Sequence, residues 1–168
     1  TIFNSFGVKV TIVEMLDRLI PTQSREASKK LETILKRNGI DIFTSTTAES
    51  VEKGISLNVK TSAGKVISVE KILVAVGRRP DTGIVERSAL KLDKDGPRIK
   101  VDRSLRTSVD NIFAIGDCVS GPQLAHKASY DGILACDNIL GAVRQTDYSL
   151  IPGCIYTDPE IASVGLSE

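Results

Sequence analysis

The sequence predicts an α/β protein built from parallel strand–helix–strand units, and three observations carry that expectation. Val8–Val13 is a β-branched, alternating run that ends in Glu14, the pattern of a strand with an acid at its carboxyl end. Ser24 to Asn38 then places Ala27, Leu31, Ile34 and Leu35 at helical spacing before Gly39. Two short apolar runs, Ile72–Val76 and Ile112–Ile115, each stop at a glycine, Gly77 and Gly116. Buried parallel strands that end beside a ligand have this form.

The remaining elements follow from local chemistry. Thr1–Phe6 followed by Gly7 reads as the last turns of a helix with its terminal glycine. Thr22 or Ser24 caps the next helix, and Ile40–Phe43 begins another strand. From Ala48 onward the pattern becomes an antiparallel meander, with strands Ser50–Glu52, Ser56–Thr61 and Val66–Ser68. Its turns are Lys53-Gly54 and Ala63-Gly64-Lys65. Arg79–Thr82 opens a polar crossing segment, and Asp95-Gly96-Pro97 is a turn. A helix is expected from about Leu124 to Leu140, stopped by Gly141. Thr146–Pro152 reads as a linker, and Cys154–Tyr156 and Ile161–Val164 as two strands joined through Asp158-Pro159.

Bulk properties exclude several function classes. A net charge of +1 in 168 residues gives no reason to expect a nucleic-acid or membrane-surface partner. No apolar run reaches the roughly 18–20 residues of a membrane span. Cys118, Cys136 and Cys154 form no Cys-x-x-Cys pair and have one histidine for company, so no metal site is expected. All three read as reduced structural thiols.

Two carboxylates stand out by position. Glu14, at the end of a second strand, can accept both hydroxyls of an adenosine ribose and would repel a 2′-phosphate, which favours NAD over NADP. The alternative is a solvated strand-end glutamate. Asp117 follows a strand and a glycine, at the end of the sheet where open α/β folds bind ligands. It can accept hydrogen bonds from a sugar or sugar alcohol, or it can cap the following helix.

The run Thr107 to Asp117, with Ile112-Phe113-Ala114-Ile115-Gly116-Asp117 at its end, resembles the second flavin-binding motif of the pyridine nucleotide-disulfide oxidoreductases. These flavoproteins carry two dinucleotide-binding domains. Gln123-Leu124-Ala125-His126-Lys127-Ala128 and Gly132 resemble the dihydrolipoyl dehydrogenase branch more than the glutathione or mercuric reductases. Ala75-Val76-Gly77-Arg78-Arg79-Pro80 and Pro152-Gly153-Cys154-Ile155-Tyr156-Thr157-Asp158-Pro159-Glu160 agree with the same family. The resemblance covers essentially the whole chain.

The resemblance implies a partial Rossmann-like NAD-binding domain with a β-meander over residues 1–79. It implies the carboxyl-terminal part of an FAD-binding domain over 80–146 and the start of a dimer-interface domain over 147–168. The cofactors implied are FAD and NAD. Glu14 would hold the adenosine ribose, with Thr47 loosely placed near the adenine. The backbone of Ala75, Val76, Gly77 and Arg78 would lie against the nicotinamide end. Whether Arg78 faces phosphates, a neighbouring carboxylate or solvent stays open. Gly116 and Asp117 would hold the ribityl chain of FAD. The backbone N–H groups at Gln123, Leu124, Ala125 and His126 would favour negative charge on the reduced flavin.

Neither Gly-x-Gly-x-x-Gly nor Cys-x4-Cys occurs in the sequence, and the family's catalytic histidine belongs to a His-Pro segment not found here. The chain is therefore expected to be an internal segment without catalytic residues of its own, His126 not being the proton shuttle. The activity implied for the intact protein is oxidation of dihydrolipoamide by NAD. Alternatives are another flavin disulfide reductase or transhydrogenase, or a non-catalytic nucleotide-binding piece as it stands. Implied partners are a homodimer mate and the dihydrolipoyl-bearing acyltransferase or carrier of 2-oxoacid dehydrogenase complexes. The expected location is bacterial cytoplasm or an organellar matrix or stroma.

Overall fold

The computed structural model describes residues 1–88 and 91–166. In chain order the elements are α1 (Ile2–Ser5), β1 (Thr11–Val13), α2 (Arg25–Arg37), β2 (Asp41–Phe43), β3 (Ala48–Lys53), β4 (Leu57–Thr61) and β5 (Val66–Val69). There follow α3 (Gly83–Arg87), β6 (Lys94–Asp95), β7 (Arg98–Ile99), α4 (Ala125–Ile139), β8 (Gly153–Ile155) and β9 (Ile161–Ser163). A 3-10 turn, Gly116–Cys118, precedes α4. The chain divides into two units, Thr1–Ala75 with the segment from Pro152 onward, and Val76–Ile151.

In the first unit, β1 and β2 pair in parallel, Thr11 opposite Asp41 and Val13 opposite Phe43. Parallel neighbours need a long crossover, and α2 supplies it. Ser24 caps α2 by accepting the N–H of Ala27 at 3.1 Å. Glu26 in its first turn and Lys36 and Arg37 in its last complement the helix dipole. Gly39, at φ +80°, then turns the chain into β2. The stripe Leu31 and Leu35 packs with Leu19 and Ile40 into a core flanked by Ile12, Ile42 and Ile161. The meander forms as the sequence indicates, β3–β4–β5 all antiparallel. β8 and β9 form a hairpin, Ile155 opposite Ile161, and belong to this first unit.

Three expected strands differ. The first begins only at Thr11, with Val8 about half exposed. Ile72–Val76 has no regular hydrogen bonding, and Leu73 and Val76 are 77% and 92% exposed. Ile112–Ile115 makes a single antiparallel bridge, Phe113 to Arg106, in place of a parallel strand. The physical reason is common to the last two, since a parallel strand exists only between neighbours. In a dinucleotide fold ordered 3-2-1-4, β1 and β2 stand as strands two and three, and the fourth strand lies on strand one. Among the described residues no strand fills place one, so Ile72–Val76 has no edge to join.

In the second unit, Ile99, Ala114 and Val119 form one small core and Leu105, Leu134 and Ala135 another, with Val101 packed against both. The Asp95-Gly96-Pro97 turn joins β6 to β7 as expected. The short helix α3 was not legible in the sequence; Asp81 starts it by accepting the N–H of Gly83 at 3.0 Å.

Candidate functional site

Glu14 stands directly after β1, half-buried, where its N–H bonds Phe43 at 2.9 Å and its C=O accepts from Thr46 at 3.0 Å. These bonds continue the β1–β2 ladder by one residue and fix the backbone that presents the carboxylate. Oε1 accepts the N–H of Leu16 at 2.8 Å, and the carboxylate has no other protein partner among the described residues. The adjacent Thr47 is held by Ser62, whose hydroxyl accepts the Thr47 N–H and whose N–H donates to the Thr47 C=O, both at 3.0 Å. Glu14 and Thr47 thus lie close in the chain's first unit, tied through Thr46. Two cavities of that unit lie along α2, one lined by Lys30, Ile34 and Pro159 and one by Lys29, Thr33 and Arg37, and neither contains Glu14 or Thr47.

Ala75, Val76, Gly77 and Arg78 are exposed, and the division between the two units falls between Ala75 and Val76. Gly77 has φ +106°, a conformation that side chains disfavour.

In the second unit, Gly116 is buried with φ +72°, and a Cβ there would lie 3.3 Å from the Ala128 Cβ. This close approach joins the 3-10 turn to α4. Asp117, one residue on, is exposed. Leu124 takes the N-cap position of α4 with extended backbone and no side-chain cap bond. Ala125 and His126 begin the helix on the exposed side, with Gln123 and Leu124 half-buried before it. The helix start and the Asp117 turn therefore belong to one packed assembly. Asp117 is not the cap of α4, because Leu124 holds that place.

Sequence reasoning missed what holds this assembly. Lys127 and Asp131 are both 0% exposed and form an ion pair at 2.7 Å, one helical turn apart. The Lys127 ammonium also donates to the Gly116 carbonyl at 3.0 Å, and Asp131 Oδ2 accepts the Gly116 N–H at 2.9 Å. Tyr148 donates its hydroxyl to Asp131 Oδ1 at 2.9 Å and sets its ring 4.9 Å from the ammonium. No periodicity signals it, because the buried face of α4, Lys127, Asp131, Leu134, Ala135 and Asn138, mixes polar and apolar residues.

Burial, and then the Asp131 carboxylate, push the Tyr148 phenol well above the ordinary tyrosine range. A group raised in the folded state contributes stability that is complete below its unfolded value, here 10.0, and lost as pH rises beyond it. The melting temperature is expected to fall as pH rises above about 10, and Tyr148→Phe to flatten that fall. Parallel melts of both proteins across this range check it; identical slopes would refute it.

Among the described residues there is no cluster of three His, Cys, Asp or Glu that could hold a metal. No helix among them is long and apolar enough to cross a membrane.

The comparisons with known proteins bear on the same elements. Dihydrolipoyl dehydrogenase of Halobacterium salinarum is 39% identical over 174 residues, covering 100% of this chain and 37% of the relative. The HOCl-induced flavoprotein disulfide reductase RclA of Escherichia coli superimposes with a TM-score of 0.86 at 30% identity, over 99% of this chain and 39% of that one. An NAD-dependent persulfide reductase from A. fulgidus gives 0.81 at 26% identity, over 96% of this chain and 32% of that one. The chain thus spans about a third of the length of these relatives. The family model described as pyridine nucleotide-disulphide oxidoreductase matches residues 1–132. A match over that much of the sequence, from α1 through the β1–α2–β2 unit to the first half of α4, means that the chain belongs to the pyridine nucleotide-disulphide oxidoreductase family.

Proposed function

We propose that this chain is the segment of a dihydrolipoyl dehydrogenase that supplies the adenosine-ribose part of the NAD site and the ribityl part of the FAD site. The observation that carries the proposal is the Gly116–Asp117 turn packed on the amino end of α4, with Asp117 exposed and Leu124 offering no side-chain cap. Identity of 37–39% to three dihydrolipoyl dehydrogenases favours dihydrolipoamide over another disulfide or persulfide substrate.

The residues fit part of each cofactor. Glu14 has one oxygen bonded to Leu16 and one open to a ribose diol. The exposed Asp117 carboxylate has the acceptor capacity for polyol hydroxyls. The uncapped start of α4 directs backbone N–H groups and the positive end of its dipole at whatever lies before it. No glycine-rich pyrophosphate turn is encoded, so these residues hold ribose, ribityl and the flavin's electron-accepting edge, not the phosphates. Bound FAD would take an electron pair from a dithiol and pass it as hydride to NAD. This chain's share is to bind and orient. Glu14 selects a free 2′-hydroxyl, Asp117 fixes the ribityl chain, and Leu124, Ala125 and His126 present N–H groups where negative charge gathers. Gly77 gives the nicotinamide end a close backbone approach. Residues 1–79, 80–146 and 147–168 would serve NAD binding, FAD binding and a dimer interface. The lipoyl carrier and homodimer partner follow from the same reading, as does location wherever 2-oxoacid dehydrogenase complexes reside.

Glu14→Ala in the full-length enzyme tests the NAD half. Hydrogen bonds to a charged group contribute about 1.5–3 kcal/mol each, so KM for NAD is expected to rise roughly ten-fold or more with flavin content unchanged. An unmoved KM would remove Glu14 from the site.

A further inference from the structure

A buried ion pair is poor evidence of stabilisation, because well-packed apolar residues of similar size generally do as well or better. Lys127 also stands in the first turn of α4, where a positive charge opposes the helix dipole. Its presence at 0% exposure therefore asks for a role that packing alone does not explain. The geometry supplies one. The pair grips both backbone polar groups of a single residue: the Lys127 ammonium takes the Gly116 C=O at 3.0 Å, and Asp131 takes its N–H at 2.9 Å. Those groups belong to the peptide planes on either side of Gly116, and the second plane launches Asp117. Apolar residues would fill the same volume and leave the rotation of both planes unset.

The surroundings are built around this grip. Tyr148 closes one side by bonding Asp131 and facing the ammonium. Gly121, at φ +111°, closes another, since a Cβ there would lie 2.8 Å from the Tyr148 ring and 3.2 Å from the Lys127 Cε. Ala128 meets Gly116 from the helix. Lys127 follows His126 directly, so the same residue that orients Asp117 is continuous with the helix start proposed to face the flavin.

We propose that the buried Lys127–Asp131 pair, closed over by Tyr148, is a positioning clamp that sets flavin affinity by holding Asp117 and the amino end of α4 in one fixed relation. The proposal rests on the reading of Asp117 as the ribityl acceptor. None of the three residues is a flavin ligand; Lys127 and Asp131 act through the backbone of Gly116, and Tyr148 bonds Asp131 from the far side. Partners that orient the ligands of metal sites change affinity by about 10–100-fold when removed, and an effect of the same order is expected here.

The test is made in the full-length flavoenzyme with the double substitution Lys127→Met and Asp131→Leu, which removes both charges together. The dissociation constant for FAD is expected to rise about ten-fold or more, with a changed visible circular dichroism of the remaining bound flavin, while far-ultraviolet dichroism stays that of the wild type. Where the double variant does not fold, Asp131→Asn, similar in size, is expected to weaken FAD several-fold. A lower melting temperature with unchanged FAD affinity and an unchanged flavin spectrum would overturn the clamp and leave a structural pair. Asp117→Ala, measured alongside, separates the two levels. If it keeps its flavin, the ribityl reading fails and the clamp with it. If it loses flavin while the double variant keeps it, only the clamp fails.

Discussion

Asp131→Ala alone is expected to destabilise the second unit by about 3–5 kcal/mol, because it strands the Lys127 ammonium in a site with no access to water. The Gly116 carbonyl, 3.0 Å away, remains as its one oxygen partner among the described residues. The Gly116 N–H and the Tyr148 hydroxyl lose their acceptor in the same step, and each buried donor left unmade costs about 1–3 kcal/mol. A more exposed pair, Asp137 near the end of α4 and Arg144 beyond it, makes the contrast. Asp137 and Arg144 are 36% and 51% exposed, so Asp137→Ala is expected to cost well under about 1 kcal/mol. Urea unfolding followed at the tyrosines of the second unit reads both, and each unit needs its own transition because a two-unit chain is not bound to unfold in one step. A loss below about 1 kcal/mol for Asp131→Ala would mean that water reaches the pair.

Local chemistry was legible in the sequence wherever one residue decides the outcome. The cap of α2 at Ser24, one of the two candidates with Thr22, Gly39 as its stop, and the two glycine-bearing turns of the β3–β4–β5 meander lie where the sequence pointed. Strands that depend on neighbours were not legible. Ile72–Val76 and Ile112–Ile115 have the apolarity of buried strands, and apolarity reports only what a segment tolerates. Whether a parallel strand forms depends on edges supplied elsewhere, and neither run finds one among the described residues. The buried face of α4 was hidden for a different reason. An apolar-stripe reading turns Ile133 and Ile139 inward, yet both are 63% exposed, while Lys127, Asp131 and Asn138 are buried. Their inward orientation follows from polar backbone that needs partners. Gly116 takes Lys127 and Asp131, and the carbonyls of Ser104 and Arg144 accept from Asn138 at 3.1 and 3.0 Å. Hydrophobic periodicity carries no trace of such a demand.

Asp117→Ala in the full-length enzyme is expected to leave most of the protein without flavin. A carboxylate that accepts two hydroxyls of a ribityl chain contributes about 1.5–3 kcal/mol through each, so losing both weakens FAD by about a hundred-fold or more. Stability of the apoprotein is expected to change little. Asp117 is exposed, it follows the Gly116 clamp without taking part in it, and Leu124 rather than Asp117 occupies the N-cap of α4. The two consequences separate ligand loss from fold loss. A residue that served only the 3-10 turn would lower the melting temperature by about 1 kcal/mol of stability and keep a normal flavin ratio. The flavin-to-protein absorbance ratio, taken with the melting temperature of the apoprotein, distinguishes them. Full flavin occupancy at unchanged FAD affinity would show that the ribityl chain is held by some other residue, and that the exposed carboxylate after Gly116 belongs to the turn alone.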